Sequence, residues 1–464
     1  MNVNKNELNK NQNNDHKSSQ KPKVFRDPLY GYIYFDTKYD PKGILKKLIN
    51  TKCVQRLRRI RQLSCVNIVF HGAEHSRFTH SLGVYELTRR FLEINSTIDR
   101  FNKIFTSEYK LLLLISALLH DIGHGAYSHI FENIFKTEHV PIGAQIIRKD
   151  KEIAKILDIY NEDLKINVAR ILDKKNDYLK KDLKNKNKND AKIFPIIRQL
   201  LSSALDFDRL DYLSRDSFYT GVTYGYIETD MLIRSINIEP KGNKYQIVLS
   251  KNSVAAIESF AINRYHMYKQ VYGHLKVRGY TVILEKIFLR IKYLLSEKKN
   301  ILNNFNIILQ PLKNFILQHS EKMQKNNFDL SLNYIETYLE IDDFYINGLI
   351  IYFKDVNDEI LRNLCFDFLN RRIWTYDDNK PTVYNKSTEE EKKYYFYHDK
   401  NPKLPYKKNF QEDAKDIGKI LIQSSNNKTS KLKKESSLLK KLIKEEKNNN
   451  VNNNKFFYRN YKEK

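Results

Sequence analysis

Residues 111–119 read LLLLISALL, and no other feature constrains the fold of this chain as tightly. The run is about half the roughly 20 residues that a membrane-spanning helix needs, so it reads as a helix buried on every side. Such a helix needs a large core around it. With 464 residues, 41% of them hydrophobic, the chain can supply that core, and global disorder is excluded.

The surroundings of the run are also helical. Leu45, Leu48 and Ile49, then Val54, Leu57, Ile60 and Leu63, then Leu82, Val84, Leu87, Phe91 and Leu92 recur at close to 3.6-residue spacing. Further helices are predicted over 141–148, 193–213, 253–271 and 280–295. β structure is local: alternating Tyr30, Tyr32 and Tyr34 with Ile33 and Phe35 predict a small hairpin at the front, and INIEPKGNKYQIVLS predicts another around a Lys-Gly-Asn turn. After Trp374 the composition shifts to Lys, Asp, Tyr and Pro. The organisation expected is a Lys/Asn-rich tail at 1–22, a mainly α core with a helical extension at 23–376, and a small C-terminal α+β region with a low-complexity tail at 377–464. In that last region 418–423 and 456–461 are expected as strands and 435–444 as an amphipathic helix.

The chain carries 81 Lys and Arg against 55 Asp and Glu, a net charge of +26, which implies a negatively charged partner. Much of the excess lies in low-complexity tracts. Residues 174–192 hold eight Lys against three Asp without an aromatic-stacking signature such as an RNP motif among them, which favours a solvated loop over a nucleic-acid surface and leaves nucleic acid a secondary partner. Only Cys53, Cys65 and Cys365 occur, with no CxxC pair, so a disulfide scaffold and a thiolate zinc finger are excluded. Residues 1–22 contain no apolar stretch of the secretory type, and a cytoplasmic location without membrane attachment is expected.

The chemistry concentrates where the apolar run ends, at His120-Asp121-Ile122-Gly123-His124. Adjacent helical residues point about 100° apart, so both members of the pair reach one ion only in the wedge at the helix end, and Gly123 is expected to turn the backbone there. An HD dipeptide alone is weak evidence. Two other segments add ligand types: FHGAEHSRFTHSLGVYEL brings His71, His75 and His80 to the start of a helix, and LDFDRLDYLSRD sets Asp206, Asp208, Asp211 and Asp216 among Leu205, Leu210 and Leu213. Carboxylates in a core-forming helix are costly unless paired or metal-bound.

Four strings in this order, QRLRRIRQL, HGAEHSRFTHSLGVYEL, LLHDIGHGAYSH and DFDRLDYLSRD, resemble the HD-domain phosphohydrolases. They are most similar to the deoxynucleoside-triphosphate triphosphohydrolases, whose animal member joins a sterile-alpha-motif domain to the HD domain, over roughly residues 23–295, and MYKQVYGHLKVR near residue 270 resembles the bacterial branch of that group. The resemblance implies a helical HD-domain core and a divalent metal ion (iron, manganese, zinc, magnesium or nickel) held by His80, His120, Asp121 and Asp208. His124, His129, Glu132 and His139 take the places of the family's active-site histidines and acid. Glu132 stands where the animal enzyme has Asp, and Val140 follows His139 where the family often has Glu.

Substrate contacts are implied for Gln62, Leu63, Arg77, Arg209, Tyr212, Asp216, Arg264 and Tyr272. The arginines offer forked donors for phosphate oxygens, and Gln62, Tyr212 and Asp216 fall on sugar-contacting positions. Thr281 replaces the family's downstream sugar-contact Asp. Lys23, Val24, Asn50, Gln55 and Arg58 fall on the family's regulatory site for dGTP or another nucleotide activator between subunits of a homo-oligomer. Asn50 stands there in place of the Asp that reads guanine.

The expected activity is hydrolysis of a dNTP to deoxynucleoside and inorganic triphosphate. The alternatives are an HD phosphohydrolase acting on another nucleotide or phosphoester, and a nucleic-acid-binding protein or nuclease.

Overall fold

A computed structural model describes residues 23–35, 38–174, 189–296, 306–325 and 329–377, together with the strands Tyr397–Asp399 and Lys455–Tyr458. The front hairpin pairs β1 (Lys23–Asp27) with β2 (Gly31–Phe35), Arg26 opposite Tyr32. Then come α1 (Ile44–Leu48), α2 (Lys52–Arg56), α3 (Arg77–Ile94), α4 (Asp99–Ile104) and α5 (Ser107–Leu119). The chain continues through α6 (His129–Phe135), α7 (His139–Lys149), α8 (Lys151–Asp158), α9 (Leu164–Leu172), α10 (Asp190–Leu201), α11 (Phe207–Thr220) and α12 (Thr229–Ser235). A second hairpin, β3 (Ile236–Lys241) with β4 (Lys244–Leu249), turns at Gly242 with φ 58°. The remaining helices are α13 (Val254–Met267), α14 (Leu275–Ser296), α15 (Asn306–Lys325), α16 (Leu332–Leu339), α17 (Asp343–Phe353) and α18 (Glu359–Leu369).

The fold is mainly α. Every residue of the apolar run 111–119 is buried in α5, which packs against α3 and α9. α11 packs against α3, and at Gly83 the fit leaves no room: a side chain there would overlap the Asp211 carboxylate and the Arg215 guanidinium. Arg215 pairs with Asp211 (2.9 Å) and with Asp27 of β1 (2.8 Å), which ties the front hairpin to the same axis. No helix among the described residues is long and apolar enough to cross a membrane.

Several boundaries differ from the sequence reading. The helix expected over 193–213 is two helices, because the Asp206 carboxylate accepts the Ser203 and Arg209 backbone N–H groups and starts a new helix after Ser202 ends the old one. The helical spacing read through Leu63 stops at Arg56, with a 3-10 turn over Leu57–Arg59. Beyond it the chain is extended, held by Arg77 N–H to Ile60 C=O (2.9 Å) and Gln62 N–H to His75 C=O (3.0 Å).

The helix expected over 253–271 ends at Met267 and passes into a π-helical turn, Tyr268–Tyr272, and α14 starts at Leu275 rather than 280. The lysine tract does not extend to 192: Asp190, buried and accepting from the Tyr109 hydroxyl at 2.9 Å, opens α10. Gly123 does not adopt a left-handed conformation; it lacks a side chain because the start of α7, at His139 and Gly143, lies against it.

At the C-terminal end, β5 (Thr375–Asp377), β6 (Tyr397–Asp399) and β7 (Lys455–Tyr458) form an antiparallel sheet in the order β5-β7-β6. β7 occupies the start of the strand expected at 456–461. The tail at 1–22, the strand expected at 418–423, the helix expected at 435–444 and most of the 174–192 tract lie outside the described residues.

Candidate metal and phosphoester site

Three elements bring four candidate ligand side chains together. α3 carries His80 one turn in, His120 and Asp121 directly follow the last residue of α5, and α11 carries Asp208 in its first turn. His80 Nε2 lies 3.1 Å from His120 Nε2, 3.0 Å from Asp208 Oδ1 and 3.7 Å from Asp121 Oδ2, and His120 Nε2 lies 3.3 Å from Asp121 Oδ1.

The far side of each ring is engaged. His80 Nδ1 faces Asp211 Oδ2 at 2.7 Å, and His120 Nδ1 faces the Ala117 carbonyl at 2.9 Å. Both partners only accept, so each Nδ1 carries a proton and both Nε2 atoms point at one spot, among two carboxylates, where a cation can take the place of a proton. Burial disfavours a charged His80, yet Asp208 and Asp211 outweigh it and push the group up to about 10. Those donors fit a divalent cation, and a mixed imidazole–carboxylate set suits a first-row transition metal. Asp211, which the sequence reading left without a role, orients His80 from behind. Its signal was the three-residue step from Asp208.

Beside this cluster, His124, His129 and His139 surround Glu132. Glu132 Oε1 lies 2.9 Å from the Nδ1 atoms of His124 and His139, and Oε2 lies 3.1 Å from His129 Nδ1. Burial alone would raise the Glu132 carboxyl, but the three imidazoles hold it far below the usual range. Glu132 thus orients His139, with no help from position 140, and His139 stacks on His124 with centroids 3.8 Å apart. His124 is buried, and burial with the charges of Arg77 and His139 pushes it down to about 3. His129 differs in that its side chain is 66% exposed at the mouth of the site.

A cleft of about 450 Å³ opens over both groups. Gln62, Leu63, Arg77, Asp121, His124, His129, His139, Asp208, Tyr212, Asp216 and Tyr272 line it, and Thr281 does too. Arg77 is buried and donates from Nη1 to Asp121 Oδ2 (2.5 Å) and from Nε to Ser128 Oγ (2.7 Å). Asp216 takes a hydrogen bond from the Tyr272 hydroxyl (2.6 Å) on one oxygen and faces His75 Nε2 (2.7 Å) on the other. Burial and Asp216 push the Tyr272 phenol well above its ordinary range, so it stays a donor. His75 also went without a role in the sequence reading, and His71 is exposed.

Arg209 and Arg264 flank the cleft without lining it. Arg209 sits 3.7 Å from Asp206 Oδ2, and the Arg264 guanidinium lies over the Tyr268 ring at 5.3 Å. Lys23, Asn50, Gln55 and Arg58 form a separate group: Lys23 Nζ donates to Asn50 Oδ1 (2.5 Å), and Arg58 Nε donates to Gln55 Oε1 (2.8 Å). Val24 is exposed on β1 beside Lys23.

The HD domain family matches residues 77–216, from Arg77 through the ligand cluster to Asp216. The uncharacterized protein YwfO of Bacillus subtilis is 33% identical over 394 residues, covering 83% of this chain and 81% of that protein. The chain belongs to the HD-domain phosphohydrolase superfamily. Among solved structures, this HD-domain protein is similar to a phosphohydrolase from Bacteroides thetaiotaomicron, with TM-score 0.62 and 27% identity over 81% of this chain and 87% of that one. The chicken deoxynucleoside triphosphate triphosphohydrolase SAMHD1 is 26% identical over 275 residues, which cover 54% of the HD-domain protein and 42% of the chicken enzyme. Membership in the superfamily supports a metal-dependent hydrolase.

Proposed function

We propose that the protein hydrolyses deoxynucleoside triphosphates at the α-phosphorus, releasing deoxynucleoside and inorganic triphosphate. The observation that carries this reading is that one cleft joins the ligand cluster to a wall of Gln62, Tyr212, Asp216 and Tyr272, with Arg77 between. The likeness to an enzyme named for this reaction points the same way.

His80, His120, Asp121 and Asp208 would hold the ion, which when bound supplies an acidified water and charge stabilisation at a phosphoryl oxygen. Arg77 holds Asp121 and has further N–H donors for phosphate, with Arg209 and Arg264 neutralising the outer part of the triphosphate. The water oxygen bonds to the α-phosphorus, the bond from phosphorus to the 5′-oxygen breaks, and that oxygen needs a proton. His129 would give it: its Nδ1 faces the Glu132 carboxylate at 3.1 Å, which leaves Nε2 for the substrate. Tyr212 under the sugar leaves no room for a 2′-hydroxyl, and Asp216, fixed by His75 and Tyr272, faces the sugar.

Lys23, Val24, Asn50, Gln55 and Arg58 would take an activating nucleotide between subunits of a homo-oligomer. The three cysteines are buried free thiols, in keeping with a cytoplasmic protein. Turnover of each dNTP and rNTP, with and without dGTP, tests substrate and activation together. The reading expects dNTPs to be preferred and dGTP to raise their turnover, and equal turnover of ribonucleotides would contradict the sugar assignment.

A further inference from the structure

The match to the HD family ends at Asp216, yet the turn between the active-site histidines is held from helices more than 100 residues downstream. Tyr127 and Ser128 both have positive φ, 54° and 53°, a conformation that costs about 1–2 kcal/mol for each residue with a side chain and persists only where surroundings impose it. Asp343, the first residue of α17 and 1% exposed, imposes it. One carboxylate oxygen accepts the Tyr127 backbone N–H (2.6 Å), and the other accepts the Arg61 backbone N–H (2.9 Å).

One helical turn further on, Asn347 accepts the Tyr127 hydroxyl (2.5 Å). α16 and α2 brace the preceding residues: the Tyr338 hydroxyl donates to Gly123 C=O (2.7 Å), and buried Arg56 donates to His124 C=O (2.8 Å) and Ile341 C=O (2.6 Å). The two backbone segments that Asp343 joins converge on Ser128, whose Oγ donates to Arg61 C=O (3.1 Å) and accepts Arg77 Nε (2.7 Å).

We propose that Asp343 is a positioning residue for the reaction: by joining the Arg61 and Tyr127 segments it fixes Ser128 Oγ, through it Arg77, and through Arg77 the ligand Asp121. The role rests on the phosphoester-hydrolase reading of the cleft and adds to it a residue outside the HD match. Asp343 touches no reacting group. Its chemistry is dictated by its partners: both are N–H donors, so the site needs two acceptors on one side chain. An Asn of equal size brings one acceptor and an NH₂ that would face an N–H. Anchoring of α17 does not depend on it, because Ile346, Leu349, Ile350 and Phe353 bury the helix.

The test compares wild type, Asp343→Asn, Ser128→Ala and the double variant, each loaded with Mn²⁺ for dNTP turnover and with Co²⁺ for its visible absorption. Displacement of a positioned group by a fraction of an ångström to 1 Å predicts a kcat loss of about ten- to a hundredfold in each single variant, with KM changed less. If both act along one chain of contacts, the double variant is no slower than the slower single. The Co²⁺ bands should shift alike in both singles as Asp121 is released.

Wild-type kcat in Ser128→Ala would overturn the proposal, as would multiplied losses in the double variant or an Asp343→Asn protein changed only in melting temperature. If Asp343→Asn does not fold, Ser128→Ala decides. A wild-type protein without dNTP turnover would defeat the reaction assignment while leaving the Co²⁺ comparison in force, where identical spectra overturn the positioning role.

Discussion

His80 and His120 meet Nε2 to Nε2 at 3.1 Å, each ring held from behind by an acceptor, Asp211 in one case and the Ala117 carbonyl in the other. At that distance the two nitrogens need a proton or a cation between them, and the adjoining carboxylates of Asp208 and Asp121 favour either. Asp208→Ala should therefore abolish bound metal, and Asp211→Asn, which loosens His80 without removing a ligand, should weaken metal affinity about 10–100-fold. Elemental analysis and chelator competition measure both. Full metal stoichiometry in Asp208→Ala would refute the ligand assignment.

His129 is the exposed imidazole of the proton network, and its Nδ1 rests on Glu132. For a general acid, His129→Asn should lower dNTP turnover about 10²–10⁴-fold. The loss should nearly vanish with a dNTP analogue whose bridging 5′-oxygen is replaced by sulfur, because a thiolate leaves without needing a proton. Equal losses on both substrates would show that His129 binds rather than protonates.

Tyr212 lines the cleft beside Tyr272 and the Asp216 carboxylate. Its truncation to Ala should open space at the sugar. Paired measurements of kcat/KM for a dNTP and its ribonucleotide should then show the preference for deoxyribose falling by about tenfold, the scale of one lost packing contact. An unchanged ratio would move the discrimination to another residue.

Lys286, buried in α14, is pushed down to about 8 by burial, with Glu285 opposing. A cation whose folded value lies below its unfolded one of about 10.4 destabilises the fold while charged, so stability should rise as pH climbs from 8 towards 10. Lys286→Met should remove this slope and, at pH 7, stabilise by about 3 kcal/mol. Denaturant titrations at pH 7 and pH 9.5 check both. A Met variant less stable than wild type at pH 7 would show that the contacts of the ammonium outweigh its burial.

His80, His120, Asp121 and Asp208 were pointed to by the resemblance of the local strings that hold them, and the fold brings the four side chains together. Asp206 shows where local reading stops: the apolar period runs unbroken through Leu200, Leu201, Leu205 and Leu210, and only the carboxylate that caps α11 marks the break. The segment around Arg61 has helical spacing but is extended, because pairing with the 75–77 segment wins over local preference. Asp343 was out of reach for a further reason. Its meaning lies in contacts to residues 216 and 282 positions away, and nothing near it in the chain hints at them.

The central claim, that the cleft breaks the bond between the α-phosphorus and the 5′-oxygen, is tested most directly by chromatography of a dNTP incubated with the Mn²⁺-loaded protein. Deoxynucleoside and inorganic triphosphate should appear in equal amounts. Pyrophosphate with deoxynucleoside monophosphate, or orthophosphate with the diphosphate, would contradict it.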